Sequence, residues 1–300
     1  AVSVLAAVLM VPLIGFAALA IDVAAMWATR QQLQNGADAG ALAIAQACAR
    51  GACGTPSQTA QELATANVDG VLATGTVTSL SASTVRVETS AVRDHWFAPI
   101  LGVDQTTLTA RAAVRWGSPS RGTAMLPLAF SWCEWKAQTG GAMPSGTTPR
   151  TILFPKESGL PCTGPSGLAV PGGFGWLTAD AGTCKTTSAI SGVLPSDPGN
   201  SVPGSCSTGD LGALHNRPVL LPLYDQVTGT GSGVTYRIYG YAAFTITGYH
   251  FGGQYSWNKP CQGDDRCIRG YFTRFVDLAE SFDYGANAPQ LGAAIVSLSE

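Results

Sequence analysis

The sequence predicts an α+β protein: a long N-terminal transmembrane and stalk helix, a small α/β unit, and a β-rich ectodomain stapled by disulfides. Three observations lead to this fold class. No charged side chain precedes Asp22, later segments alternate apolar and polar residues as strands do, and the eight cysteines are even in number. The expected boundaries are a transmembrane helix over 1–21, an extracytoplasmic stalk helix over 22–53, a membrane-proximal unit over 54–117 and a disulfide-bonded domain over 118–300.

Residues 1–21 are apolar and long enough to span a membrane, because about 20 such residues cross a hydrocarbon core of about 30 Å. Pro12 and Gly15 are tolerated in membrane spans. Small and apolar residues then recur at three- and four-residue steps, which predicts that the helix continues as a stalk to about Ala47. A cleavable signal peptide is the alternative, since Ala18-Leu19-Ala20 matches a cleavage site. We expect a retained single span at the cell membrane, with the bulk of the chain extracytoplasmic.

Small residues dominate the predicted stalk, where Gly36 and Gly40 form a G-x-x-x-G pair that lets two helix backbones approach closely. One interpretation is a docking face for a partner helix, formed by Asp22, Gly36, Asp38 and Gly40. The other is intramolecular packing of the stalk on the chain's own β-domain. Asp22 is expected at headgroup level, as a solvated carboxylate or paired with a cation of a partner.

Two patterns near the N-terminus carry a family resemblance. The apolar span runs into Ala20-Ile21-Asp22-Val23, and the segment 33–43 reads LQNGADAGALA. This region resembles the N-terminal region of TadE/TadG-like Flp pilus-assembly proteins, with Gly36 and Gly40 in place of the more usual alanines. The resemblance covers about the first fifty residues. It implies a membrane-anchored structural or assembly component of a Flp/Tad-type pilus, with other pilus-assembly or minor pilin subunits as partners. The D-x-S-x-S motif of von Willebrand type A domains is absent from the sequence, which argues against a metal-dependent adhesive role.

The segment after the stalk is predicted to form the small α/β unit. A helix is expected over Gln58–Asn67 and strands over Thr84–Val92 and Thr106–Trp116, with a short helix over His95–Leu101 between them. This order predicts two neighbouring strands joined by a crossover helix. Gly117–Gly122 is the expected linker to the next domain.

The remainder is predicted to be a mostly antiparallel sheet or open barrel. Strands are expected over Ala124–Trp135, Pro218–Tyr224, Val234–Tyr249 and Cys267–Leu278. Residues 138–210 are rich in Gly, Pro, Thr and Ser, and such a long irregular region is expected to be held by its cysteines.

All eight cysteines are expected to form disulfides, because they follow a membrane anchor in a chain with few charges. Cys48 with Cys53, and Cys261 with Cys267, would close small loops. The other four allow three connectivities. The sequential pairs Cys133–Cys162 and Cys184–Cys206 are favoured, since they close the shortest loops. A zinc site is disfavoured because no C-x-x-C spacing occurs.

Composition and motifs give no support for catalysis or nucleic-acid binding. Charged residues make up only 12% of the chain and its 17 Lys and Arg are scattered, so no basic stripe is present. No G-x-S-x-G motif occurs, and Gly229–Gly233 opens no predicted helix that would bind phosphate. Asp210 with His215, and the acid pair Asp264-Asp265, are expected to be structural or solvated. Four tryptophans are interpreted as core residues or the rim of a binding face: Trp132, Trp135, Trp176 and Trp257.

We therefore predict a protein that is not an enzyme, with no cofactor, no metal and no small-molecule substrate. Two alternatives stay open. A membrane-tethered secreted hydrolase would need a nucleophile and a base that converge in the fold, and a surface adhesin would need a binding face on the ectodomain.

Overall fold

The computed structural model describes residues 2–154, 161–277, 281–285 and 287–299. Contacts divide the chain into two compact units: Ala1–Trp116 with Val296–Glu300, and Gly117–Ile295. A long N-terminal helix, few other helices, many strands and four disulfides confirm the predicted α+β class.

The first unit begins with two helices, α1 (Val2–Ala49) and α2 (Pro56–Asn67). Three strands follow, with a 3-10 helix (Ala98–Leu101) between the last two: β1 (Ala73–Leu80), β2 (Thr84–Asp94) and β3 (Gln105–Gly117). Strand β1, which the sequence analysis did not predict, pairs antiparallel with β2.

The predicted crossover between β2 and β3 is wrong. The two strands are antiparallel neighbours, with Val85 opposite Val114 and Asp94 opposite Gln105. The segment 95–104 that joins them is shorter than the dozen or more residues that a parallel crossover needs. The short helix lies in the connection of a hairpin.

Helices α1 and α2 pack closely on this sheet because most of the buried residues at the contact are alanines. Leu33, Ala64, Ala91 and Ala110 form a buried cluster, and Thr89 Oγ1 donates to the Leu33 carbonyl at 2.9 Å. At Gly75 of β1 a Cβ atom would lie 2.2 Å from the carbonyl oxygen of Ala60 in α2. Only glycine permits this approach of α2 to the sheet.

In the part of the second unit that the structure describes, the helices are α3 (Trp132–Thr139), α4 (Thr208–Gly212) and a 3-10 turn (Gly231–Gly233). Its strands, of which the last ends in the first unit, are β4 (Pro119–Ala124), β5 (Leu128–Ser131), β6 (Arg150–Leu153), β7 (Cys162–Thr163), β8 (Ala169–Val170), β9 (Phe174–Trp176), β10 (Thr186–Ala189), β11 (Val193–Pro195), β12 (Pro218–Thr228), β13 (Thr235–Gly252), β14 (Tyr255–Trp257), β15 (Cys267–Thr273), β16 (Phe275–Asp277), β17 (Phe282–Tyr284) and β18 (Ala293–Ser299).

The largest sheet of this unit has the order β6-β15-β13-β12-β5-β9, with β11 and β14 also paired to β13. Its pairs are antiparallel except for β5 with β12, which run parallel. The long strand β13 is irregular, with register shifts such as that between Ile246 and Gly248. Aromatic rings fill the core beside it, and Phe130 lies 4.5 Å from Phe244 and 5.4 Å from Phe272 between ring centroids.

Two predicted boundaries in this unit are corrected by the structure. The linker expected at Gly117–Gly122 is largely strand β4, which pairs with β10 and β17. A Cβ at Gly122 would lie 2.3 Å from the ring of Phe282, so this glycine serves close strand packing. In place of the strand expected from Ala124 to Trp135, strand β5 ends at Ser131. The Ser131 hydroxyl accepts the Cys133 N–H and caps the N-terminus of α3.

Two further expectations are also revised. The region 138–210, of which 155–160 lies outside the described residues, contains short strands and α4 rather than continuous irregular chain. The strand expected over Cys267–Leu278 divides into β15 and β16, and Leu278 lies outside the described residues.

Four disulfides are present, and each of the eight cysteines is paired. Cys48–Cys53 closes the turn after α1, in the first unit. The other three lie in the second unit: Cys133–Cys162, Cys184–Cys206 and Cys261–Cys267. The pairs that span 29 and 22 residues each contribute roughly 3–4 kcal/mol in the chain-entropy view of crosslinks.

Among the described residues of the second unit, two acidic side chains are buried. Asp225 is fully buried and accepts two hydrogen bonds from the guanidinium of Arg237, one from Nε at 3.0 Å and one from Nη2. Glu134 accepts the N–H of Gly173 at 2.7 Å. Burial raises the pKa of Glu134, although the Gly173 N–H and the charge of Arg150 oppose this shift.

Candidate functional site

Helix α1 has two parts that differ in their surroundings. In the anchor segment (residues 9–21) large apolar side chains are exposed, with Phe16 at 72% and Ile14 at 65%. In the packed segment (residues 33–45) the core-facing side chains are buried: Leu33, Ala37, Ala41, Ile44 and Ala45. Within the described residues, α1 is the one helix long and apolar enough to cross a membrane, by length and composition. The anchor segment is therefore a candidate membrane anchor.

Asp22 directly follows the anchor segment and is not solvated, contrary to one expectation; its pairing with a cation of a partner stays a prediction. Its side chain is buried, and the carboxylate accepts the backbone N–H groups of Trp96, Phe97 and Ala98 at 2.8–2.9 Å. The first N–H groups of a helical turn lack partners within the turn, and a carboxylate satisfies them well. The sequence does not reveal this role, because the donors are backbone groups 74 to 76 residues away.

The segment that Asp22 holds is an apolar loop (Trp96–Val103) with no charged or hydrogen-bonding side chain except the indole of Trp96. Its large side chains are exposed, to 86% at Ile100 and 68% at Leu101. The loop shares a groove of about 300 Å³ with the anchor segment, lined by Pro12, Gly15, Phe16, Ala18, Leu19, Phe97, Ile100 and Leu101. The exposed apolar surface of α1 thus continues onto the hairpin.

The G-x-x-x-G pair is covered by α2. A Cβ at Gly36 would lie 3.2 Å from the Cα of Ala64, and one at Gly40 would lie 3.5 Å from the Cα of Ala60. This contact is intramolecular, as in the second alternative, but it is made mainly with α2 and not with a β-domain. A partner helix would have to displace α2 or bind another face of α1, so the partner-face role of these residues stays a prediction.

Asp38 lies at the edge of an open groove of about 930 Å³ between α1 and the sheet of the first unit. Gln34 Nε2 donates to Asp38 Oδ1 at 2.9 Å and to the Arg111 carbonyl at 3.0 Å. Arg111 forms an ion pair with Glu88 at 2.6 Å in the same groove. Polar groups of α1 and of two strands meet there, and Asp38 is half-buried among them.

The catalytic candidates have separate structural roles. Asp210 accepts hydrogen bonds from the hydroxyl and the N–H of Ser207, and these bonds lower the pKa of Asp210. The Ser207 hydroxyl in turn accepts the Asp210 N–H at 3.2 Å and caps α4. His215 stacks on Trp257 at 3.7 Å between ring centroids, with Nε2 3.2 Å from the Tyr249 hydroxyl. Burial lowers the pKa of His215. Each of the two side chains is therefore engaged in a structural interaction of its own.

The remaining candidates also lack a chemical constellation. Among the described residues no group of three or more His, Cys, Asp or Glu is placed to hold a metal ion, which includes the surroundings of Asp264-Asp265. Gly229–Gly233 joins β12 to β13 and opens no α-helix. Trp135 and Trp176 are buried in the core, and Trp132 and Trp257 pack against it.

Comparison with known proteins identifies the N-terminal segment. Residues 1–47 match the family described as "Putative Flp pilus-assembly TadE/G-like". No curated protein and no solved structure matches the chain. The match confirms the resemblance seen in the sequence and supports a role in Flp/Tad pilus assembly. The matched segment covers the anchor segment and all but the last two residues of α1.

Proposed function

We propose that the protein is a single-span, membrane-anchored component of Flp/Tad pilus assembly, with the bulk of its chain outside the cytoplasm. The observation that carries this proposal is that the TadE/G-like match, over residues 1–47, coincides with α1. The proposed partners are other pilus-assembly or minor pilin subunits.

The continuity of α1 supports the proposed topology. Twenty residues of helix extend about 30 Å, which matches the hydrocarbon thickness of a bilayer. The same helix then enters the core of the first unit, where Leu33 and Ile44 are buried. An uninterrupted helix of this kind would hold the part of the first unit that follows Asp22 next to the membrane.

The four disulfides support an extracytoplasmic position for the rest of the chain. Disulfides persist in oxidising compartments and are rare in the cytosol. Pairing of all eight cysteines, without a metal cluster among the described residues, fits a secreted or periplasmic environment. We propose four regions along the chain: a membrane span over 1–21, a stalk over 22–53, a membrane-proximal unit over 54–117 and a β-rich domain over 118–300.

The protein would act through protein contacts rather than catalysis. Asp210 and His215 are engaged in separate structural interactions, as described above. The family matched by α1 is a pilus-assembly family. An ectodomain rigidified by disulfides and a packed stalk is suited to holding or presenting other subunits.

The test is removal of the protein from its native cell, followed by counting of surface Flp pili and by affinity purification of the full chain from detergent-solubilised membranes. We expect deletion to abolish pili, and the purified chain to carry other pilus-assembly subunits. Normal piliation after deletion, together with purification of the chain alone, would refute the proposal.

A matched pair of complementing chains separates anchoring from specific recognition. In one chain residues 2–21 are replaced by an unrelated apolar span of equal length, and the other chain is wild type. The exchange leaves Asp22 and the packed segment intact, so the first unit keeps its core. Restored pili with the exchanged span would show that the segment acts only as an anchor, whereas lost pili at normal membrane levels would show that its side chains bind a partner.

A further inference from the structure

We propose that the apolar loop (Trp96–Val103) inserts into the same membrane as the anchor segment, so that the first unit contacts the bilayer at two points. This inference rests on the membrane anchoring proposed above and adds a second lipid-binding element to it. The occupant proposed for this surface is the lipid bilayer itself.

The position of the loop along α1 is the first argument. Its side chains Phe97, Ile100 and Leu101 share a groove with Pro12–Leu19 of the anchor segment. Asp22, which holds the loop, is about 4.5 Å further along the helix axis than Leu19, at 1.5 Å per residue. If residues up to 21 lie within the membrane, side chains in this groove lie at the same depth.

The character of the surface is the second argument. Trp96, Ile100 and Leu101 are each at least two-thirds exposed in a loop that carries no charge. Contiguous exposed apolar surface of this kind is unusual on a soluble protein and indicates an interaction site. Continuity with the exposed anchor segment identifies lipid as the matching partner.

The backbone of the loop is also prepared for a medium without water. Unpaired N–H groups are costly in the hydrocarbon region. Three N–H groups, those of residues 96, 97 and 98, donate to the Asp22 carboxylate. The N–H groups of Ile100, Gly102 and Val103 donate to carbonyls of the same loop at 3.0–3.2 Å, and Pro99 has none. The Asp22 carboxylate therefore pairs the three N–H groups that would oppose insertion into the membrane if they were unpaired.

The edge of the loop has the features of a membrane interface. The guanidinium of Arg93 lies 6.0 Å from the ring centroid of Trp96 and donates to Thr29 Oγ1 at 3.3 Å. Tryptophan favours the headgroup level, and arginine extends its charge toward water from beside apolar surface. This pair marks the depth to which the loop is expected to sink.

The test uses the full chain in phosphatidylcholine–phosphatidylglycerol vesicles, with an NBD fluorophore on a single added cysteine. All eight native cysteines are in disulfides, so a maleimide reagent reacts with the added thiol alone. Ile100→Cys reports on the loop, Ile14→Cys on the anchor segment, and Leu80→Cys is the matched apolar control. Leu80 of β1 pairs with Val85 of β2, at the end of β2 that lies opposite to the loop. The separation along β2 is about 30 Å at 3.3 Å per strand residue.

We expect lipids brominated in their acyl chains to quench the label at position 100 at least half as strongly as the label at 14, and not to quench the label at 80. Quenching at 14 without quenching at 100 would overturn loop insertion and leave the anchor intact. No quenching at either position would overturn both proposals. A label at 100 that becomes quenched or blue-shifted only when a pilus subunit is added would show a protein-docking surface instead, which also overturns the inference.

The Asp22 contact provides a second variant. Asp22→Ala removes the acceptor of three N–H groups, so quenching at position 100 is expected to fall while quenching at position 14 is unchanged. Equal quenching at position 100 in both backgrounds would contradict the role assigned to the carboxylate.

Discussion

Replacing Gly75 by alanine should destabilise the first unit, whereas the same change at Gly40 should not. Both glycines face α2, but at different distances. The added Cβ at Gly75 would lie 2.2 Å from the Ala60 carbonyl oxygen, and the one at Gly40 would lie 3.5 Å from the Ala60 Cα. The two variants therefore add the same methyl group at two different distances from one residue of α2, Ala60.

The expected magnitudes follow from these distances. Ordinary contact begins near 3.4 Å, so at Gly75 the helix and the strand must separate by about 1.2 Å, and such overpacking costs roughly 1–3 kcal/mol. At Gly40 the methyl group fits, and alanine stabilises a helix by about 1 kcal/mol relative to glycine. We expect Gly75→Ala to lower, and Gly40→Ala to maintain or raise, the free energy of unfolding of the first unit.

Because the chain has two units, a single melting temperature does not report on one of them. Hydrogen exchange measured by mass spectrometry, on the full chain in detergent, resolves peptides from α2 and β1. Gly75→Ala should speed exchange in these peptides by about one to two powers of ten, since 1.4 kcal/mol corresponds to a factor of ten. Peptides from β13, in the second unit, serve as the internal control. Equal protection in the two variants would refute the packing argument.

Two further predictions concern charges. Arg237→Leu leaves the buried carboxylate of Asp225 unpaired and should lower the free energy of unfolding by about 3 kcal/mol, measured for each variant by hydrogen exchange of peptides from its own unit; the value is near the low end for a broken buried pair because the arginine is partly exposed. Arg111→Leu, at the exposed pair with Glu88, is the control and should cost at most about 1 kcal/mol; equal costs would contradict the assignment. For Glu134, the raised pKa means that the native carboxyl holds its proton more tightly than the unfolded one. The free energy of unfolding should therefore fall as pH rises from the ordinary value of 4.5 through the folded pKa, and Glu134→Gln should remove that fall. An unchanged pH profile in the variant would contradict it.

The sequence predicts those elements that local pattern determines. Helix α1 follows from an uncharged run and the small-residue repeat after it, and β2 and β3 follow from the alternation of apolar residues. Strand β1 escaped prediction because its segment, ATGTVTSL, contains few large apolar residues. Its inward positions Ala73 and Gly75 are small because α2 lies so close, which is a tertiary constraint.

Only part of the candidate site can likewise be predicted from the sequence. The apolar anchor and the spacing of Gly36 and Gly40 are visible in the sequence, although what covers these glycines is not. The role of Asp22 depends on backbone groups at the far end of a hairpin, which no local pattern reveals. Eight uncharged residues between Arg93–His95 and Asp104 were the available signal for the apolar loop, since a solvated hairpin connection is ordinarily polar.

The packing of α1 has a consequence for the order of events during biosynthesis. The packed segment makes contacts with residues that are translated later, up to Arg111 in β3. Ribosomes add about 5–20 residues per second, so the 66 residues of 46–111 take roughly 3 to 13 s to appear. During that interval the anchor has been synthesised while the small-residue face of the stalk lacks its sheet. A nascent chain therefore presents to its surroundings a helix face that the finished protein keeps covered.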